Sequence, residues 1–195
     1  MRKQAINLGR IGILLPIASI IPVIGLLAGL ASFILLLLSH YNFSKIYNKP
    51  GIFKDALTGF IVQISGNIIG GTIIAVGVGT AAVSLSGSGM DSMGFEYIKN
   101  LIFESGLTIS GAILILAGLI VGFYFIFKAL KVLAEQSGVT LFKTAGLLYF
   151  IGAIGIIVFF LGFLAIIAAW IIHIIAYFSV PPEDESIEAS NTAKY

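Results

Sequence analysis

The stretch "SIIPVIGLLAG" (residues 19–29) lies inside an uncharged run from Ile11 to Ser39, and its reading decides how the chain meets a membrane. As one straight helix that run would be about 43 Å long, against a hydrocarbon core of roughly 30 Å. Pro22 removes a helical N–H donor and Gly25 weakens the helix beside it, so a bend belongs at "IPVIG" (21–25). Charge agrees. Arg2, Lys3 and Arg10 precede the run, and Lys45, Lys49 and Lys54 follow it. Lys and Arg gather on the cytoplasmic side of membranes, which puts both flanks on one face and makes the run turn back. We expect a first helix over 5–20, kinked at Pro16, and a second over 22–47. The first either spans or is re-entrant. The alternative is one long bent helix.

Composition supports the membrane as solvent. Of 195 residues, 58% are hydrophobic and 10% charged, where a soluble domain carries roughly a quarter charged residues. Mean hydropathy is +1.09. Three more uncharged runs follow the first, at 56–90, 105–127 and 144–180, each long enough for a transmembrane helix. "SFILLLLS" and "LAIIAAWII" lack the alternation of a membrane β-strand, so the class is all-α. Without cysteine, disulfides and Cys-ligated metal sites are excluded. The start "MRKQAINLGR" resembles the head of a signal peptide, but apolar character continues to Leu38, past "GLA" (29–31), as in an uncleaved anchor.

Working outward, a third helix runs over 54–85 and a polar turn follows at "SGSGMDSMG" (86–94). A fourth helix returns over 95–134 to "EQSGVT" (135–140), where Gly138 suits a C-cap. The last run would be about 55 Å if straight. "VFFLG" (158–162) divides it into helices at 141–158 and 161–178. The expected fold is an all-α, polytopic transmembrane bundle of about six helices: hairpin, long helix, long helix, hairpin. Residues 1–180 form one domain, and 181–195 an acidic, disordered tail. Both termini are expected in the cytoplasm, with the chain in the cell membrane.

Three GxxxG matches, Gly25–Gly29, Gly66–Gly70 and Gly118–Gly122, suit close approach of helix backbones. Gln63 and Asn67, four residues apart, share one face of the third helix. That face is either glue between helices or the lining of a solute path. Glu104 and His173 are the candidate functional ionisable groups. Glu104 sits near a helix end within reach of water, and His173 suits either a hydrogen-bonded packing role or an interfacial one. His40 ends the second helix, and two histidines without carboxylates make no metal site. Aromatic belts are expected at Tyr41, Phe43 and Tyr47, at Phe95 and Tyr97, at Phe123, Tyr124 and Phe125, and at Trp170, Tyr177 and Phe178. An intramembrane serine hydrolase would pair Ser110 of "TISGA" (108–112) with His173. Thr108 stands where that motif needs glycine, and the pair falls in opposite halves of the membrane. No basic patch for nucleic acid is present, nor a Walker A loop, a dinucleotide fingerprint or HExxH.

"LGRIG" (8–12), "IPVIG" (21–25) and "AAWIIHIIAYFSVP" (168–181) resemble a family of small archaeal integral membrane proteins catalogued as domain of unknown function nine-nine-six. The resemblance covers roughly residues 8–181. It implies an archaeal source and a polytopic fold, and supplies no catalytic residue. Together these readings lead us to expect a non-enzymatic structural or accessory subunit of a larger membrane complex, without cofactor or metal. Its partners are membrane lipids and other membrane subunits or itself. The alternatives are a small-solute or ion transporter or channel lined by Gln63 and Asn67, and, more distantly, the hydrolase. Reporter fusions at Met1 and Lys49 are expected to label the same face of the membrane; labels on opposite faces would remove the first hairpin.

Overall fold

Pro16 has no N–H to give the Gly12 carbonyl four residues back, so a regular α-helix cannot continue through it. In the computed structural model of the chain, which describes residues 1–86, 106–156 and 161–181, α1 spans Arg2–Leu14 and gives way to a 3-10 segment at Leu15–Ile20. The expected kinked helix over 5–20 is therefore two pieces. Proline here changes the hydrogen-bond register rather than bending a single helix. Ile21 is then extended, with φ −90° and ψ 114°, and Pro22 opens α2 (Pro22–Ile46). The bend falls inside "IPVIG".

Side-chain hydrogen bonds fix α1 and α2 as an antiparallel hairpin. The Ser32 hydroxyl donates to the Gly12 carbonyl at 2.6 Å, and the Ser39 hydroxyl donates to the Ala5 carbonyl at 2.8 Å. As one helix ascends, its partner descends.

The remaining helices are α3 (Pro50–Ser86), α4 (Gly106–Ser137), α5 (Leu141–Gly155) and α6 (Leu161–Ser179). Among the described residues the chain is all-helical, with six α-helices. Four segments are long and apolar enough to cross a membrane: Leu27–Ile46, Pro50–Thr80, Gly106–Ser137 and Leu161–Ser179. The 13 residues of α1 reach about 20 Å, short of a roughly 30 Å hydrocarbon core. The turn expected at 86–94 (beyond Ser86), the fourth helix's start at 95, Phe95 and Tyr97 of the expected belts, most of "VFFLG" and the tail beyond Pro181 lie outside the described residues.

The chain forms two compact units, Met1–Gly59 with Phe123–Tyr195, and Phe60–Gly122. In the second, α3 and α4 cross on glycine. A Cβ on Gly66 would stand 2.9 Å from the Gly118 Cα, and one on Gly70 would stand 2.5 Å from the Gly111 carbonyl oxygen. Lipid tails are as apolar as leucine, so burial alone drives little association and close van der Waals contact must do it.

In the first unit, Asn48 at φ 51° and Gly138 at φ 75° end α2 and α4 in left-handed conformation. Gly138 also donates its N–H to the Ala134 carbonyl at 3.0 Å, as a C-terminal cap does. An ion pair of 3.3 Å joins Asp55 of α3 to Lys128 of α4. Phe43, Ile52, Leu130, Leu133, Phe142 and Tyr177 are fully buried. Phe43 and Tyr177 therefore belong to the core rather than to the interfacial belts where sequence placed them. Their positions near helix ends made them look interfacial, but neighbouring helices cover those ends.

The α5–α6 hairpin closes on Gly162, where a Cβ would collide with backbone atoms of Gly152, Gly155 and Ile156. Backbone cannot move aside as a flexible side chain can. Gly162→Ala is expected to destabilise the purified protein by about 1–3 kcal/mol in a detergent unfolding titration. Gly71→Ala, with nothing within 4 Å of the new Cβ, should leave the midpoint unchanged or slightly raised.

Candidate functional site

Trp170, His173 and Tyr177 recur on α6 at a spacing that places them along one face. That face meets α1 and α2. The switch to 3-10 register after Leu14 leaves the Ile13 carbonyl without its usual donor, and the Trp170 indole N–H donates to it at 2.9 Å. Arg10 serves the opposite partner. Its Nε donates to the Tyr177 carbonyl at 3.1 Å and its Nη2 to the Phe178 carbonyl at 3.4 Å, while the guanidinium lies 4.8 Å from the Phe178 ring centre. The last carbonyls of a helix have no partner within it, and its C-terminus carries partial negative charge. Arg10 answers both needs for α6.

Between these contacts the Tyr177 ring lies against Gly9 with no room for a Cβ. Its hydroxyl is 3.3 Å from Ser39 Oγ. Ser39 has one proton and gives it to Ala5, so Tyr177 donates to Ser39. A relay of two hydrogen bonds thus runs from α6 through α2 to α1. Next to Ser39, His40 donates from Nδ1 to the Leu36 carbonyl at 2.7 Å, which leaves Nε2 as the acceptor. His40 is 3% exposed; it is a core group, not the interfacial end of a helix.

His173 completes the cluster. It is 4% exposed, stacks on Tyr177 at 5.1 Å and 23°, and meets Phe142 and Tyr149 edge-on at 5.8 and 5.9 Å. Its Nε2 is buried with no hydrogen-bond partner. His173 therefore packs through its ring faces and edges, with Nε2 unbonded, rather than through the hydrogen-bonded or interfacial role expected of it. Among the described residues no three His, Cys, Asp or Glu side chains converge to hold a metal ion. The hydroxyls of Ser39 and Ser110 are committed, Ser110 to the Gly106 carbonyl at 2.7 Å. What the cluster does, as it stands, is tie four helices together, α1, α2 and α6 by hydrogen bonds and α5 by ring contacts.

Elsewhere the amide pair divides. Gln63 is half-buried, with Nε2 buried and unpartnered, whereas Asn67 is exposed. Gly66, Gly70 and Gly118 lie at the α3–α4 crossing; Gly25 and Gly122 are buried, and Gly29 is exposed with nothing within 4 Å. Glu104 lies outside the described residues. Sequence reasoning gave Gly9, Gly12, Gly111 and Ser39 no part in a site and read Arg10 only as a topology charge. The spacing Trp170–His173–Tyr177 was the legible signal for the cluster. Tyr47, beyond the end of the α2 span, has its phenol pushed above the ordinary range by burial, with the Arg2 charge opposing.

Residues 28–175 match the family described as Protein of unknown function (DUF996). An uncharacterized protein of Methanocaldococcus jannaschii is 35% identical over 184 residues, covering 94% of this chain and 96% of that protein. No solved structure matches the chain.

Arg10→Ala is expected to lower stability by about 1.5–3 kcal/mol, the range for hydrogen bonds to a charged group, in the same detergent unfolding titration. Arg10→Lys, which keeps the charge but not the two-point donor geometry, should recover part of the loss. Equal loss in both would make the charge irrelevant.

Proposed function

The chain is a member of the DUF996 family of proteins of unknown function, and from that premise we propose that it is a non-catalytic accessory subunit of a larger assembly in the cell membrane. One observation carries the reading: Asn67 faces outward from a membrane-spanning helix. It makes no hydrogen bond among the described residues. An amide left in hydrocarbon without a partner is costly, and interhelical hydrogen bonds are the usual relief.

The helix around Asn67 is suited to such a neighbour. Of the four spans, Pro50–Thr80 is the least buried, 11% of its apolar window against 22–39% for the others. Asn67, Gly71, Ala75 and Gly79 recur every fourth residue. Nothing lies within 4 Å of a Cβ on Gly71 or Gly79, and Ala75 is exposed. Small residues in that spacing admit a second helix to backbone contact, while the amide supplies the polar anchor. The occupant on this reading is a helix of another subunit. A solute path draws less support, because it needs Gln63 and Asn67 turned into one passage, and Asn67 is exposed while Gln63 is half-buried.

On this reading both termini lie in the cytoplasm. Arg2, Lys3, Lys45, Lys49, Lys54, Lys128, Lys131 and Lys143 flank the helix ends assigned to that side.

Extraction of the intact chain from its native membrane in gentle detergent, followed by pull-down and mass spectrometry, tests the proposal. A stoichiometric membrane partner is expected, retained by the wild type and lost in Asn67→Leu and Gly71→Leu with the chain itself still folded. A chain recovered alone and monodisperse from its own membrane overturns it.

A further inference from the structure

A different face of α2 carries a different chemistry. Ile34, Leu37, Leu38 and Tyr41, with Phe53 of α3, line an open groove of about 350 Å³, within the size range of small-molecule sites. Every lining side chain is aliphatic or aromatic. Ile34, Leu38 and Tyr41 follow one stripe of the helix, and the next position along it is Lys45. Its ammonium lies 4.5 Å from the centre of the Tyr41 ring, and that ring packs edge-on against Phe53 at 5.3 Å. Lys45 meets no carboxylate among the described residues.

Direction matters as much as content. The Leu27–Ile46 span ends just past Lys45, so the cation stands at the membrane surface while the groove descends toward the bilayer centre. From Lys45 to Ile34 is about 16 Å along the helix. An apolar channel of that depth, headed by one unpaired cation, is complementary to an amphiphile with an anionic head.

We infer that this groove binds one acidic phospholipid, its phosphate on Lys45 and a hydrocarbon tail along Leu38 and Ile34. A partner helix fits less well. Helices that associate in lipid approach over small residues, and here Ile34 and Leu38 stand 55% and 45% exposed, holding a second backbone away. A free anion would use Lys45 and have no use for the groove. The site is independent of the Asn67 face and of the subunit reading.

Native mass spectrometry of the full chain released from nanodiscs tests the site. The discs contain phosphatidylglycerol or phosphatidylcholine. One retained phosphatidylglycerol per chain is expected, with phosphatidylcholine retained much less. Lys45→Gln should weaken retention about fivefold, the scale of one basic residue on an anionic lipid. Leu38→Trp, which fills the groove, should weaken it further, and Lys131→Gln on α4 should leave it unchanged. Because Lys45 is an exposed surface residue, its variant remains informative if the groove-filling one fails to fold. Equal retention of the two lipids, or no change in Lys45→Gln, overturns the inference. So does displacement by inorganic phosphate alone, which marks a bare anion site, or a polypeptide found cross-linked at position 38 in native membranes.

Discussion

The covalent ring of Pro16 sets the terms for the first unit. Its missing N–H strands the Gly12 carbonyl, and the register change that follows releases the carbonyl of Ile13. In water these groups would cost little, because solvent would take them. In hydrocarbon each must be met by protein. Ser32 from α2 meets the first and the Trp170 indole from α6 meets the second. A local defect in one helix thereby specifies which two helices lie beside it and at what height.

The same economy explains the rest of the packing. Where a soluble protein would collapse around its hydrophobes, this chain relies on close fit and scarce polar bonds. Gly9 admits the Tyr177 ring, Gly66 and Gly70 admit the α4 backbone, and Gly162 admits the end of α5. Polar side chains in the first unit are placed at these joints. Ser39 bridges Tyr177 and Ala5, and Arg10 reaches the terminal carbonyls of α6. The resulting cluster looks chemical from its composition of His, Tyr and Ser, yet the Ser39, Tyr177 and His40 protons are already spoken for, and His173 Nε2 is buried without a partner.

How much of this was legible depended on whether a residue acts alone or through a partner. The corner at Pro22 and the stop at Gly138 are properties of single residues, a missing donor and a left-handed backbone, and both read correctly from the chain. The order of the helices followed from four long uncharged runs, and their number from dividing the two that are too long for one span, which needs no tertiary knowledge. Arg10 was read as a topology charge because sequence shows its sign but not the α6 carbonyls it reaches. Phe43 and Tyr177 were read as belt residues because closeness to a helix end is visible, and coverage by another helix is not. Gly111 escaped because its partner, Gly70, lies on another helix, outside any local motif.

The Arg10 contact also bears on how the molecule is built. A ribosome delivers α1 first and α6 last, so the arginine waits through the synthesis of every intervening helix before its acceptors exist. Once α6 is made, its terminal carbonyls take the arginine's N–H groups, and the contact then joins the first and last of the described helices of this unit.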